Sequence, residues 1–223
     1  MKVKKILVIA VSIVMLFSLT ACGKKSEENL LIEKNARGLE YLDITILSII
    51  NKIEEETDWQ YVQTEIEKLY TSWNTIILDL YKLDIDKNDI LSFSSTLDVG
   101  AQNIKAKDKA KTIITLANLY SHIPKYMKND NETLVAIMKT KAHIIMAYSI
   151  IEADEWNSIA DELALAEEKF LTVVNDIEFN KTKKYHIEKT YVMIKELQNT
   201  VDLKDKDIFY IKYKNLIEEI NVL

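Results

Sequence analysis

The chain has 223 residues, of which only three are glycine and one is proline. Turn-rich all-β folds need many more of both, so this composition excludes them and favours helices. Acidic residues outnumber basic ones by 35 to 29, a formal net charge of −6. Nucleic acid is therefore not expected as a partner, because phosphate backbones are bound by clustered Lys and Arg.

Residues 1–21 have the pattern of a secretory signal peptide. Three lysines within the first five residues precede an apolar run over residues 6–19. A positive segment, a short apolar core and a small-residue cleavage site are typical of such peptides. The run is shorter than the ~20 residues that a transmembrane helix needs. An uncleaved N-terminal membrane helix with an incidental cysteine is the alternative interpretation.

The end of this leader carries the most specific motif in the chain, Leu19-Thr20-Ala21-Cys22. It resembles the lipobox of bacterial lipoproteins. The resemblance implies recognition by a signal peptidase through Leu19, Thr20 and Ala21, cleavage before Cys22, and a diacylglycerol on that thiol. Two or three acyl chains anchor a protein stably, whereas a single chain is marginal. We therefore expect residues 22–29 to be a lipidated tether in the cell membrane, with the mature protein on the extracytoplasmic side.

Beyond the tether, apolar residues recur at spacings of three and four, as on the buried faces of packed helices. Eight helices are predicted, over about residues 39–53, 59–80, 90–104, 107–126, 131–153, 155–178, 182–201 and 205–221. Asp58 is the predicted N-cap of the second helix, and Asp86 or Asn88 that of the third. Pro124 is expected to kink or end the fourth helix, because proline has no backbone N–H.

The chain also resembles itself at a shift of 97 residues. The matched positions include Trp59 with Trp156, Lys107-Asp108-Lys109 with Lys204-Asp205-Lys206, and Asn118-Leu119 with Asn215-Leu216. Such self-similarity indicates an internal duplication. We predict an all-α fold of about eight antiparallel helices in two related four-helix halves, residues 30–127 and 128–223. The pattern leaves open whether the halves form two bundles or one continuous array.

No catalytic or metal-binding motif is found. His122, His143 and His186 are the only histidines, and no two of them are three or four residues apart. The acylation that the lipobox resemblance implies would consume the thiol of Cys22 and leave no Cys ligand. No nucleophile elbow or phosphate-binding glycine loop is present. We expect no enzyme activity and no cofactor other than the acyl lipid; a hydrolase without a recognisable motif is the remaining enzymatic alternative.

One segment is a candidate binding niche because polar aromatic residues surround a helix-breaking proline. Tyr120, His122, Pro124 and Tyr126 lie at the end of the fourth predicted helix. A kink there would expose backbone carbonyls and make room for a ligand or partner. The corresponding positions of the second half carry different residues, so the feature is not duplicated.

These patterns favour a non-enzymatic lipoprotein that binds another envelope protein or stabilises an assembly of the cell envelope. The alternative is a lipoprotein that binds a small solute in a cleft between the two halves. Trp59, Trp73 and Trp156 are expected to be core residues. An internal cavity lined by Trp73, Tyr120 and Tyr126 would favour the solute, whereas a solid core with exposed apolar residues would favour the protein partner.

Overall fold

The fold comes from a computed structural model that describes residues 27–54, 58–128 and 131–223, apart from the side chains of residues 177, 179, 180 and 182. The predicted signal peptide, which includes Leu19, Thr20 and Ala21, lies outside the described residues, and so does Cys22. Lipid attachment and the membrane location therefore stay predictions. Residues 27–29 of the predicted tether are helical and exposed.

The described chain is all-α, as predicted. Its helices are α1 (Lys2–Glu55, described here over residues 27–54), α2 (Trp59–Lys82), α3 (Lys87–Lys105), α4 (Lys109–Tyr126), α5 (Glu132–Ser149), α6 (Trp156–Asn175), α7 (Ile177–Leu203) and α8 (Lys206–Ile220). A 3₁₀ turn, Ile151–Ala153, follows α5, and no strand occurs within these described ranges. The connections are short, as expected for antiparallel neighbours.

Aspartate side chains begin several of these helices. The Asp58 carboxylate accepts two backbone hydrogen bonds from the first turn of α2, both at 3.1 Å, which confirms the predicted cap. Asp86 rather than Asn88 caps α3. Asp108 and Asp205 cap α4 and α8 in the same way. A carboxylate at this position satisfies free N–H groups and interacts favourably with the helix dipole.

Several helical segments end in a left-handed residue that is not glycine. Asp84 follows α2, Lys107 follows α3, Asp154 follows the 3₁₀ turn and Lys204 follows α7, with φ between 50° and 56°. Glycine usually holds this place because it has no Cβ. Lys107 and Lys204 are 97 residues apart, and a capping aspartate follows each of them. The local structure of these two connections is therefore the same in both halves.

The helices pack as two rings of four. In the first ring, α1 packs on α2 and α4, and α3 lies between α2 and α4. In the second, α5 packs on α6 and α8, and α7 lies between them. The contact of α4 with α5 joins the rings, and buried residues of both belong to one continuous hydrophobic core. Helix packing thus supports two halves, while the predicted boundary after residue 127 stays a prediction.

Buried positions correspond between the two rings. Trp59 and Trp156, which match at the shift of 97 residues, are the first residues of α2 and α6. Trp73 and Phe170 match at the same shift and are 2% and 0% exposed. Each ring therefore places a large aromatic side chain at the same point of its second helix.

Among the residues that the structure describes, one stretch is long and apolar enough to cross a membrane by length and composition. It is Glu132–Ala153, which contains α5, and 61% of its most apolar window is buried inside the fold. α5 contacts α4, α6 and α8. Burial among these helices accounts for its apolar composition, because a helix that is covered on several sides is apolar on several sides.

Candidate site between the two halves

A buried polar cluster joins the halves. Lys141 of α5 places its Nζ 2.8 and 2.9 Å from the two carboxylate oxygens of Asp43 in α1. The hydroxyl of Tyr120 in α4 donates to the same carboxylate at 2.6 Å. Lys141 is 3% exposed and Tyr120 is fully buried. The cluster therefore connects α1 and α4 of the first ring with α5 of the second.

Burial shifts the pKa values of Lys141 and Tyr120 in this cluster. It lowers the pKa of the Lys141 ammonium, and the Asp43 carboxylate opposes part of that effect. Burial, together with the same carboxylate, raises the pKa of the Tyr120 hydroxyl well above its usual value. Tyr120 is therefore a neutral donor to Asp43. A buried ammonium group is tolerated when an opposite charge lies beside it, and the Asp43 carboxylate supplies that charge to Lys141.

Asp43 of this cluster also lines an open groove of about 620 Å³, which is flanked by α1 and α8 and is here called the inter-half groove. Its walls consist of Glu40, Asp43, Ile44, Leu47, Ser48, Asn51 and Lys52 from α1, of Tyr213, Lys214, Ile217 and Glu218 from α8, and of Asn221, which follows α8. Leu47 and Ile217 are buried, whereas Ile44 is 59% exposed. The groove combines an apolar floor with polar walls, which is the usual make-up of a binding cleft.

Tyr213 contributes a buried hydroxyl to this groove. Its side chain is 1% exposed and its ring stacks on Tyr148 of α5, with 4.1 Å between centroids. Burial raises the pKa of the Tyr213 hydroxyl, which is therefore protonated. The hydroxyl makes no hydrogen bond within the described structure. A buried polar group without a partner is costly, so this one is a feature that a ligand could satisfy.

The residues of the predicted niche are buried. Tyr120, His122, Pro124 and Tyr126 all belong to the interior of the fold. Tyr126 donates to the backbone carbonyl of Asp89 at 2.8 Å. Pro124 lies inside α4, which continues past it and ends at Tyr126, so the helix does not stop at the proline. Of the four, Pro124 borders a surface pocket of about 390 Å³, whereas Tyr120, His122 and Tyr126 pack in the core.

Each histidine in the described chain lies beside a carboxylate. The pairs are His122 with Asp89 at 3.8 Å, His143 with Glu162 at 2.8 Å and His186 with Glu219 at 2.7 Å. In the residues that the structure describes, no three His, Cys, Asp or Glu side chains are grouped as a metal site requires. The predictions of no cofactor and no catalytic residue stay predictions.

Two of these pairs occupy corresponding positions in the two halves, with the acid and the histidine interchanged. At the shift of 97 residues, Asp89 corresponds to His186 and His122 corresponds to Glu219. The acid lies on α3 and the histidine on α4 in the first half, whereas the histidine lies on α7 and the acid on α8 in the second. Burial would raise the pKa of Glu219, but hydrogen bonds from Lys189 and His186 outweigh it and lower that pKa.

His122 should make stability depend on pH. Burial lowers its pKa below the usual 6.5, and Lys125 adds to this effect. The unfolded chain therefore takes up a proton at a higher pH than the native protein, and stability falls as the pH drops through 6.5. For one proton the slope is at most about 1.4 kcal/mol per pH unit.

We expect His122→Phe, which fits between Phe93 and Tyr126, to remove this contribution to the slope. Urea unfolding of the two proteins between about pH 8 and about pH 5 measures it, through the linkage of proton uptake to unfolding. Equal slopes for wild type and variant would contradict the assignment.

Comparisons with models of protein families, with curated proteins and with solved structures find no match. The sequence patterns did not identify Asp43, Lys141 or Tyr213 as site residues. The detectable signal was Lys141, a charged residue among the apolar positions of α5, next to Ala142 and three residues before Ile144. The pairing of residues 98 positions apart is visible only in the fold.

Proposed function

We propose that the protein is a non-enzymatic binding module of the cell envelope, anchored by acyl lipid on Cys22 and facing the extracytoplasmic side. Its binding surface is the inter-half groove, and its ligand is a helical segment of another envelope protein. The observation that supports this proposal is the groove between α1 and α8, whose apolar floor no described helix covers. The packed arrangement of Trp73, Tyr120 and Tyr126 also favours a protein partner over a solute in that region.

The groove is long enough for a short helix. Its α1 wall extends from Glu40 to Lys52, which is about 18 Å at the rise of an α-helix. The lining residues recur every three or four positions on both α1 and α8, so each helix presents one continuous face. An amphipathic helix of about three turns can lie along such a groove and place its apolar residues on the floor.

Charge indicates which helical segment would bind. Glu40 and Glu218 are exposed on opposite walls, and neither forms an ion pair with any residue that the structure describes. A segment with Lys or Arg opposite Glu40 and Glu218, and away from Lys52 and Lys214 of the same groove, would complement both carboxylates. Such complementarity mainly increases the association rate and specificity. The exposed side chain of Ile44 would become covered in the complex.

Photo-crosslinking in native membranes tests the proposal. A benzophenone amino acid replaces Ile44 in the full-length acylated protein, and a matched control replaces Leu78 of α2, which is 65% exposed outside the groove. We expect a protein adduct at position 44 that peptide mapping assigns to an amphipathic helix with Lys or Arg. The double charge reversal Glu40→Lys and Glu218→Lys should reduce that adduct at least about tenfold.

Three results would contradict the proposal: no protein adduct at position 44, equal adducts at positions 44 and 78, or an adduct that the charge reversal leaves unchanged. A parallel Cys22→Ala protein tests the anchor separately. It should leave the membrane fraction, because acyl chains supply the attachment. If that variant stayed in the membrane, the lipid anchor would be contradicted while the groove could still bind.

Binding of a small polar solute in the same groove is the second candidate. The buried Tyr213 hydroxyl without a hydrogen-bond partner favours it, because a solute with an acceptor atom would satisfy that group. Native mass spectrometry of protein extracted from its own membranes would then show a noncovalent adduct. Tyr213→Phe should remove that adduct, and a protein without any bound small molecule would contradict this candidate.

A further inference from the structure

A second cavity shares Glu40 and Asp43 with the lining of the inter-half groove. It has a volume of about 170 Å³ and is bounded by α1, α4, α5 and the connection after α4. Its apolar lining consists of Ile32, Leu39, Ile123, Met127 and Met138. We call it the Asn35 pocket, because Asn35 provides a buried polar group in its wall. The ligand of this pocket does not depend on which molecule occupies the inter-half groove.

The orientation of the Asn35 amide is fixed by the end of α4. Its Nδ2 donates to the backbone carbonyl of Tyr126 at 3.0 Å, and a carbonyl can only accept. Oδ1 is therefore the atom that remains, and it has no hydrogen-bond partner in the described structure. Asn35 is 1% exposed. Asn35, a residue of the pocket lining, thus has a buried acceptor that lacks a donor.

The charges around the pocket favour an uncharged ligand. Asp43 is neutralised by Lys141. The remaining charged residues of the lining are Glu40 and Lys128, one of each sign. A cation would be attracted by one of them and repelled by the other, and the same holds for an anion. The donor that Asn35 requires is therefore best supplied by a neutral hydroxyl group.

The size of the pocket indicates the body of the ligand. A dry cavity of about 150 Å³ is large enough to hold benzene, so a pocket of about 170 Å³ accommodates one six-membered ring with a hydroxyl. Met127 and Met138 line it, and methionine sulfur makes favourable contacts with aromatic rings. We propose that the Asn35 pocket binds a small uncharged aromatic alcohol, whose ring packs on these methionines and whose hydroxyl donates to Asn35 Oδ1.

Methionine-methyl NMR of the full-length protein in detergent micelles tests this site, with phenol and toluene as probes. We expect phenol to shift the Met127 and Met138 methyl signals in a saturable manner. The Met193 methyl on α7 reports nonspecific partitioning and should not saturate. Phenol should bind about tenfold more tightly than toluene, because only phenol satisfies the buried acceptor.

Two variants distinguish the site from nonspecific binding. Asn35→Leu removes the acceptor and should abolish the preference for phenol, whereas Asn118→Leu, at an exposed position of α4, should retain it. If Asn35→Leu does not fold, Ala36→Leu at an exposed position of the lining fills the mouth and should abolish phenol binding. An absence of saturable shifts, or equal affinity for phenol and toluene in the wild type, would overturn the proposal and indicate that water satisfies Asn35.

Discussion

Replacing Lys141 with methionine is expected to lower the free energy of unfolding by about 3–5 kcal/mol. The substitution leaves the Asp43 carboxylate, whose side chain is 15% exposed, without its cation. The Tyr120 hydroxyl remains as a donor but carries no charge to compensate. Removing one partner of a buried pair is costly because the other charge stays desolvated. Urea unfolding at about pH 7, followed by circular dichroism, measures the change.

The double variant Asp43→Asn with Lys141→Met is the matched control. It removes both charges and keeps a polar group for Tyr120, so most of the lost stability should return. Lys139→Met, an exposed lysine on the same helix, should change stability by less than about 0.5 kcal/mol. Equal losses in the single and double variants would show that packing, and not the unpaired charge, is responsible.

The Asp43–Lys141 ion pair also connects the core with both proposed binding surfaces. Asp43 is part of the wall of both the inter-half groove and the Asn35 pocket. Its partner Lys141 lies on α5, the helix through which the second ring contacts the first. The positions of the two surfaces therefore depend on how α1 is held against α5. Substitutions at Asp43 should affect both surfaces together.

Much of the fold could be predicted because its determinants are local. Asp58 precedes an apolar repeat with helical spacing, and a carboxylate in that place caps a helix whatever surrounds it. Trp73 and Trp156, expected in the core, are 2% and 7% exposed. Trp59 is half-buried and packs at the edge of the core. Spacing of three and four residues identifies the buried face of a helix but not how deeply each position is covered.

The predicted niche at the end of α4 shows where local reasoning is insufficient. α4 runs past Pro124 and ends at Tyr126, and the carbonyl of this last residue would be available to a ligand if it faced solvent. In the fold, Asn35 of α1 donates to that carbonyl, from 91 residues earlier in the chain. The requirement for a donor was predictable from the sequence, but its source depends on tertiary packing.

The sites between the halves could not be predicted for the same reason. Glu40 and Glu218 belong to ordinary solvated helix faces in the sequence, and no spacing relates α1 to α8. Only the ring arrangement, with α4 and α5 in contact on one side, leaves α1 and α8 as the walls of a groove. The repeat predicted two halves without predicting which of their helices would meet.

The second large effect is expected for Trp73→Ala, which should lower the free energy of unfolding by about 3–5 kcal/mol. The indole is 2% exposed and stacks on Phe93 with 4.0 Å between centroids. Its Nε1 also donates to the Ser94 hydroxyl at 2.8 Å. Alanine would leave a cavity that the surrounding aromatic residues, including Tyr126, are too well packed to fill. Urea unfolding measures the loss.

Two further variants separate the origins of this effect. Trp73→Phe introduces the residue found at the corresponding position 170, keeps an aromatic ring against Phe93 and loses the hydrogen bond to Ser94. Its cost should be about 1–2 kcal/mol. Trp59→Ala, at a half-buried site, should cost less than Trp73→Ala because fewer contacts are lost. If Trp59→Ala were the more damaging of the two alanine variants, the stack around Trp73 could not be the main anchor of the first ring.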